Sequence, residues 1–260
     1  MFVVFAAAAV IWALLVLRAT FVRGGGRSIL AASAVAVAAA LVSIAADVRS
    51  LQLARRAQSL DVAIRIVPRG DWFELEYEGR GTSFVTANEL HVPLDAAVTV
   101  SWRGLPVPWI EGAICLPRND ERCTLVARGD GAARFIALEP RMWRRLPIVA
   151  VPRPRFEQWL RAEAEPARAD AGGAALFESA GCGYCHVVRG AVASPSQVAP
   201  DLTHFASRRT IAATTLPNRR GFLDGWVVHS SALKHGSAMP DNRLDPRVLR
   251  GILAYLESLR

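Results

Sequence analysis

The stretch "SAGCGYCHVVRG", residues 179–190, places Cys182, Cys185 and His186 within five positions. Cys-x-x-Cys-His is the attachment sequence for a c-type haem. Two thiols one helical turn apart reach the two vinyl groups of a porphyrin, and the adjacent imidazole then lies beneath the ring to bind iron from one side. A thioredoxin-like redox pair gives no reason for the adjacent histidine and expects a βαβ setting. A zinc site expects a second cysteine pair, and none follows. The spacing predicts one covalently attached haem c.

An iron held by His186 needs a ligand on its opposite face. The chain has three methionines, and Met239 in "GSAMPDNR" is the one that follows the motif. A thioether opposite imidazole raises the potential and suits electron transfer. His204, His229 and His235 compete for the position, and Met239 is the favoured ligand. With both axial positions filled, no position is left for a substrate, so the expected role is that of an electron carrier.

Helical signals flank this site. "GAALFESA" precedes it, and "PRVLRGILAYLESLR" closes the chain with Pro246 suited to a first turn. Leu249, Ile252, Leu253 and Leu256 form one apolar stripe of that last helix. Residues 171–260 resemble a class I cytochrome c throughout, an all-α domain. "VAPDLTHFASRR" is similar to that family's proximal segment, which implies that the carbonyl of Pro200 accepts from the free N–H of His186 and orients it. The family usually has glycine where Ala199 stands. Trp226 in "FLDGWVVHS" matches an aromatic that packs near the haem propionates in the family, and is equally readable as plain core.

The opposite end of the chain is apolar. Residues 1–17, "MFVVFAAAAVIWALLVL", and 28–46, "SILAASAVAVAAALVSIAA", carry no charged side chain, and each is near the lower limit of the roughly 17–25 residues that cross a bilayer as a helix. Arg18, Arg23 and Arg27 lie between them, and positive residues in short loops stay cytoplasmic. This predicts a two-helix transmembrane hairpin over 1–46 with both ends outside. The alternatives are a signal peptide at 1–17, which lacks a basic leader and a cleavage site, and an internal signal cut near Ala46. Haem attachment takes place outside the cytoplasm, in agreement with this topology.

Between these ends the pattern alternates. "DVAIRIV", "WFELEYE", "AVTVSW", "RCTLVAR", "ARFIAL" and "PIVAV" are short, rich in β-branched residues and separated by turn residues, which predicts an antiparallel sandwich or barrel within 47–165. A helix follows in "PRPRFEQWLRAEAE", with Pro154 in its first turn, and "EPARADAGG" reads as a linker. The net charge of +8 is almost entirely arginine, without a basic stripe interleaved with aromatics, so no nucleic-acid partner is expected. No nucleophile–base pair, phosphate loop or open metal position marks the chain as an enzyme by itself. It reads as a non-catalytic subunit whose chemistry is borne by its cofactor.

The order of hairpin, β-domain and cytochrome resembles subunit II of the haem–copper oxidases, in the branch with a fused cytochrome c. "TANELHVPL" at 86–94, "WFELEY" at 72–77, "APDLTHFASRRTIAATTLPN" and the ending "LAYLESLR" carry the resemblance. It implies a cupredoxin-like sandwich, which in that family holds the two-copper centre CuA in a Cys-x3-Cys-x3-His-x2-Met loop before a hydrophobic strand. Here the strand is "LPIVAVP" and the loop "RFIALEPRMWRR". In register, Phe135 and Glu139 stand at the thiolate positions, Trp143 at the histidine and Leu146 at the methionine. Met142 offers a thioether after a slip, and no shift recovers a thiolate. The earlier histidine is missing near Pro106. Cys115 and Cys123 are spaced wrongly for bridging thiolates, and His91 belongs to a strand motif. A Cys115–Cys123 disulfide in an oxidising compartment is the natural reading, with two buried free thiols as the alternative. Soft copper sites need thiolate and imidazole together, so no copper is expected. Phe135, Trp143 and Leu146 would fill the vacated pocket.

The resemblance implies an electron-transfer subunit in a bacterial inner membrane, with the β-domain and cytochrome on the periplasmic face. Its partners would be the bilayer, a polytopic catalytic subunit bearing haem, and a donor such as a cytochrome or a quinol-oxidising complex. The terminal acceptor would be O2 or, as in the nitric oxide reductases of that superfamily, NO. The competing reading is a stand-alone membrane-tethered monohaem cytochrome that shuttles electrons or docks redox partners.

Overall fold

A computed structural model describes residues 27–79, 81–104, 108–137, 142–194 and 198–260. The expected first span, 1–17, lies outside them. So do Pro106 and Glu139 and the side chains of Met142 and Trp143.

The chain divides into two compact units, the second beginning at Gln58. The first contains helix α1 (Arg27–Arg56). Its segment Val37–Arg56 is long and apolar enough to cross a membrane, and Val35, Leu41 and Val42 on it are exposed. One such helix is found among the described residues; a two-helix hairpin is not. The helix also runs ten residues past the charge-free segment 28–46, into the range assigned to the β-domain. Asp47 and Arg49 mark where the apolar run ends, but charge does not break a helix. The turn at Ala57 does.

The second unit contains two hydrophobic cores. Strands β1 (Gln58–Arg69), β2 (Trp72–Gly79), β3 (Thr82–Ala87), β4 (Leu90–Pro93), β5 (Ala96–Trp102), β6 (Trp109–Asn119), β7 (Arg122–Ala137) and β8 (Met142–Val151) form a β-sandwich. The strand order is β3-β2-β1-β5-β7-β8-β4, with β6 along β7. The expected all-antiparallel arrangement is corrected here, because β1 runs parallel to β5 and β4 parallel to β8. Alternation reports which face of a strand is buried and carries nothing about its neighbour's direction. "RCTLVAR" and "ARFIAL" prove to be one strand, β7. Its first half pairs with β5 and its second with β8, so β7 joins the two halves of the sandwich. Cys115 and Cys123 form a disulfide between β6 and β7.

Every second residue of β1 from Leu60 to Ile66 is buried, the period-2 pattern of a strand with one face on the core. Phe135 and Leu146 are fully buried in this core, and the Phe135 ring lies 5.3 Å from Phe73. Helix α2 (Arg153–Ala164) starts with Pro154 in its first turn and buries Phe156 and Leu160 against the sandwich. Its Trp159 stacks on His91 of β4 at 4.4 Å and meets Tyr77 edge-on at 5.1 Å. The Tyr77 hydroxyl donates to the His91 carbonyl and accepts from the His91 N–H. His91 is thus packed into the sandwich edge.

The second core belongs to residues 171–260. Helix α3 (Ala171–Ser179) begins at Asp170, whose carboxylate accepts from Gly173 N–H at 2.6 Å. Helix α4 (Arg220–Val228) and the short α5 (Ser230–Leu233) follow, and α6 (Pro246–Ser258) closes the chain. Asp245 caps α6 by accepting from Arg247 N–H at 2.8 Å, and Ile252, Leu253 and Leu256 are buried with Leu249 packed alongside. Helices α3 and α6 cross where each presents a glycine. A Cβ on Gly173 would sit 2.7 Å from the Tyr255 ring, and one on Gly251 would sit 2.5 Å from a Leu176 methyl. At Gly173 only glycine permits that approach, because the Tyr255 ring and its Cβ cannot swing aside as the Leu176 methyl can.

The junction between the two cores is pinned. The Arg189 guanidinium donates to the carbonyls of Glu163 at 2.6 Å and Ala164 at 3.0 Å, capping the C-terminus of α2 from the far side of the linker. Ala167 N–H donates to the Arg189 carbonyl at 3.2 Å.

Candidate functional site

Cys182 and Cys185 lie on a single 3-10 turn, Cys182–Tyr184 with Cys185 as its cap. Residues i and i+3 eclipse in that geometry, so both thiols share a face. Neither is bonded to another cysteine, and both line one apolar cleft together with His186, Trp226 and Met239. Burial pushes the Cys182 thiol up. The His186 backbone N–H donates to the Cys182 carbonyl at 3.0 Å.

The imidazole of His186 meets the Pro200 carbonyl through Nδ1 at 2.8 Å. Nδ1–H is therefore the donor, which leaves the Nε2 lone pair for a metal. Burial holds the imidazole below its ordinary value, outweighing the Pro200 hydrogen bond that acts the other way. The ring is kept neutral, the state in which it is a ligand.

Of the four candidates for the opposite ligand, Met239 lines the cleft. His204 is buried and its Nε2 bonds to the Glu165 carbonyl at 2.9 Å, on the side of the linker. The Met239 loop is stapled in place. Ser230, fully buried, donates its hydroxyl to the Met239 carbonyl at 2.6 Å. Asp241 accepts from Ser231 N–H at 2.9 Å and Ser231 Oγ at 2.6 Å, and Asn242 Nδ2 donates to the Val227 carbonyl at 2.8 Å.

The residues fit a haem. They offer two free thiols on one face, an imidazole oriented by a carbonyl, a thioether in the same cleft and an apolar lining that includes Leu202, Phe205 and Ile211. Arg208 adds an independent indication. It lines the cleft, it donates to the Asp201 carbonyl, and its Nε is buried without a hydrogen-bond partner. A buried cation with an unsatisfied donor beside an apolar cleft suits a carboxylate of the ligand, and haem carries two.

Residues 171–260 match the model of the cytochrome c family. This segment is a cytochrome c domain. No curated protein matches the chain.

The β-sandwich contributes to the cleft of the cytochrome c domain. Asp71, Trp72 and Asn88 line it, and sequence reasoning missed all three. No local pattern links residues 71–88 to residues 180–240. Arg208 was missed although it lies inside "VAPDLTHFASRR"; its distance from Pro200 was a usable signal once the cleft had been assigned. The segment after it is unusual. Ala212, Ala213 and Thr214 have φ of 53°, 49° and 74°, three successive left-handed residues, a conformation costing roughly 1–2 kcal/mol each for residues other than glycine. They join the short strands β9 (Thr210–Ile211) and β10 (Leu216–Pro217), and Ala212 and Ala213 face the cleft.

Proposed function

We propose that the chain is the membrane-anchored electron-transfer subunit of a haem–copper superfamily complex. It would relay electrons from a donor to a haem-bearing catalytic subunit with one haem c and no copper relay. The observation that carries this reading is the cleft itself, with Cys182, Cys185, His186 and Met239 gathered in a cytochrome c domain. Haem c supplies a one-electron couple when attached. The chain's own residues hold it at Cys182 and Cys185, keep His186 neutral and oriented through Pro200, and place Met239 by way of Ser230.

The cysteines of the chain fit a relay without copper. Of the four cysteines in the chain, two belong to the haem motif and two are joined in the Cys115–Cys123 disulfide, so no thiolate remains for copper in the sandwich. Phe135, at an expected thiolate position, is buried in the core. Helix α1, with its exposed apolar side chains, fits a lipid anchor, and two spans with the folded domains on the periplasmic face follow from the arginines of the first loop.

Purification in a mild detergent tests the proposal. A polytopic haem protein should accompany the chain, and the complex should consume O2 or NO. Recovery of a covalently haem-bearing chain with no such partner would leave a stand-alone tethered cytochrome.

A further inference from the structure

We propose that the sandwich forms one wall of the haem cleft and that its Glu89 positions a second wall, the cytochrome segment 208–213, from across the domain boundary. The inference rests on the reading that the cleft takes haem c.

Glu89, at the start of the β4 region, is 3% exposed. Its carboxylate accepts from Arg209 N–H at 3.1 Å, Thr210 N–H at 2.8 Å and Thr210 Oγ at 2.8 Å. All three donors come from the cytochrome c domain. A buried carboxylate without partners costs several kcal/mol, and charge-assisted hydrogen bonds are roughly twice as strong as neutral ones. The contact therefore fixes Arg209 and Thr210 firmly. Arg208 lines the cleft immediately before these two residues, and Ile211, Ala212 and Ala213 line it immediately after. Ala212 and Ala213 belong to the left-handed run, and a strained conformation persists only where its surroundings over-determine it. Glu89 is one of those surroundings.

Two ion pairs join the same two domains. Lys234 donates to the Asp71 carboxylate at 2.7 Å and to its carbonyl at 3.0 Å. Arg209 pairs with Asp130 at 2.8 Å. In each the sandwich supplies the carboxylate and the cytochrome the cation. Asp71 and Lys234 both line the cleft, beside Trp72. Asn88 holds this edge together by exchanging hydrogen bonds with Phe73, N–H to Oδ1 at 2.9 Å and N–H to carbonyl at 3.0 Å. Arg208 feels the sandwich too: burial disfavours its charge and prevails, and Glu163, Asp201 and Glu89 counter it in part. Two of those three carboxylates belong to the sandwich side. Solvent exposure and nearby hydrogen bonds tune a haem's potential, so the sandwich acts on the cofactor without a metal of its own.

The test uses the full chain with haem attached, in detergent, and compares Glu89→Gln with Thr210→Val, which removes one donor from the cytochrome side. The readouts are the rate of haem reduction by ascorbate, a small hydrophilic reductant, and the midpoint potential. Each variant should raise the population with an opened wall, and hence the reduction rate, by about tenfold, the equivalent of about 1.4 kcal/mol. Each should also lower the potential. The double variant should add little to the worse single one, because both changes break one interaction. Unchanged rate and potential in both variants, with covalent haem retained, would overturn the role of Glu89, as would equal changes in Asp130→Asn at the exposed pair. Absence of covalent haem from the unmutated chain would instead sink the haem reading beneath it.

Discussion

In the sandwich, Phe135 and Leu146 are sealed inside and the Phe73 ring closes over Phe135. In the cytochrome c domain, His186, Trp226 and Met239 face an apolar cleft, and the helices around it are braced from behind by Gly173 and Gly251. One interior is filled by its own side chains, and the other keeps room for a group that the chain does not encode. The difference follows from the donors each retains. A pocket without thiolates gains by packing aromatic rings, since close-packed interiors recover dispersion and hydrophobic energy. A pocket with two free thiols and a neutral imidazole holds its walls apart with caps and staples.

The comparison breaks most completely if the cleft is disarmed. Replacing Cys182 and Cys185 together with alanine should abolish covalent haem, read by a haem stain after denaturing electrophoresis, while the Cys115–Cys123 disulfide still forms. The next largest effect lies in the other interior. Phe135→Ala should cost the sandwich about 3–5 kcal/mol, measured by denaturant unfolding followed through tryptophan fluorescence. The spectrum of the attached haem should remain unchanged in the native baseline.

How far each interior was legible in the sequence differs in the same way. The haem motif is local, and so are the first-turn prolines Pro154 of α2 and Pro246 of α6, so α3 and α6 of the cytochrome c domain could be placed within a few residues, whereas α4 and α5 were not predicted. Alternation located most of the sandwich strands. It did not locate β3, β4 or β6, and it split β7 in two because Gly129, Asp130 and Gly131 look like a turn. Strand direction was beyond it, since the β1–β5 and β4–β8 pairings are set by crossovers through the whole domain. The composite cleft was least legible of all. Glu89 and Thr210 stand 121 residues apart, and nothing in either neighbourhood announces the other.

Smaller effects sharpen the contrast. Breaking the Cys115–Cys123 disulfide by paired alanine substitution should destabilise the sandwich by about 2–3 kcal/mol in the loop-entropy model, again by denaturant unfolding, and leave the haem potential untouched. Ser230→Ala should cost only about 1 kcal/mol of stability. It should nevertheless weaken the absorption band of thioether-ligated ferric haem, because Ser230 acts through the position of Met239.

The smallest effect should appear on acidification. Burial pushes the Glu89 carboxyl up, but the neighbouring His91 imidazole at 3.8 Å and the hydrogen bonds from Arg209 and Thr210 outweigh it and hold the group below its ordinary value. A depressed carboxylate contributes stability that is present above its unfolded value and lost as pH falls through the folded one. The stability difference between the unmutated chain and Glu89→Gln should therefore be largest near neutrality and fade once pH drops below the ordinary glutamate range, as followed by unfolding at a series of pH values.

The guanidinium of Arg189, seated on the last carbonyls of α2, ties the cytochrome c domain across the segment "EPARADAGG". A carrier head on a loose tether finds its acceptor by search, and its turnover then follows solvent viscosity. A head bolted at the joint has one fixed separation and one geometry. In the proposed relay, turnover should then follow the tunnelling gap and the driving force, and thickening the medium with glycerol should leave it unchanged.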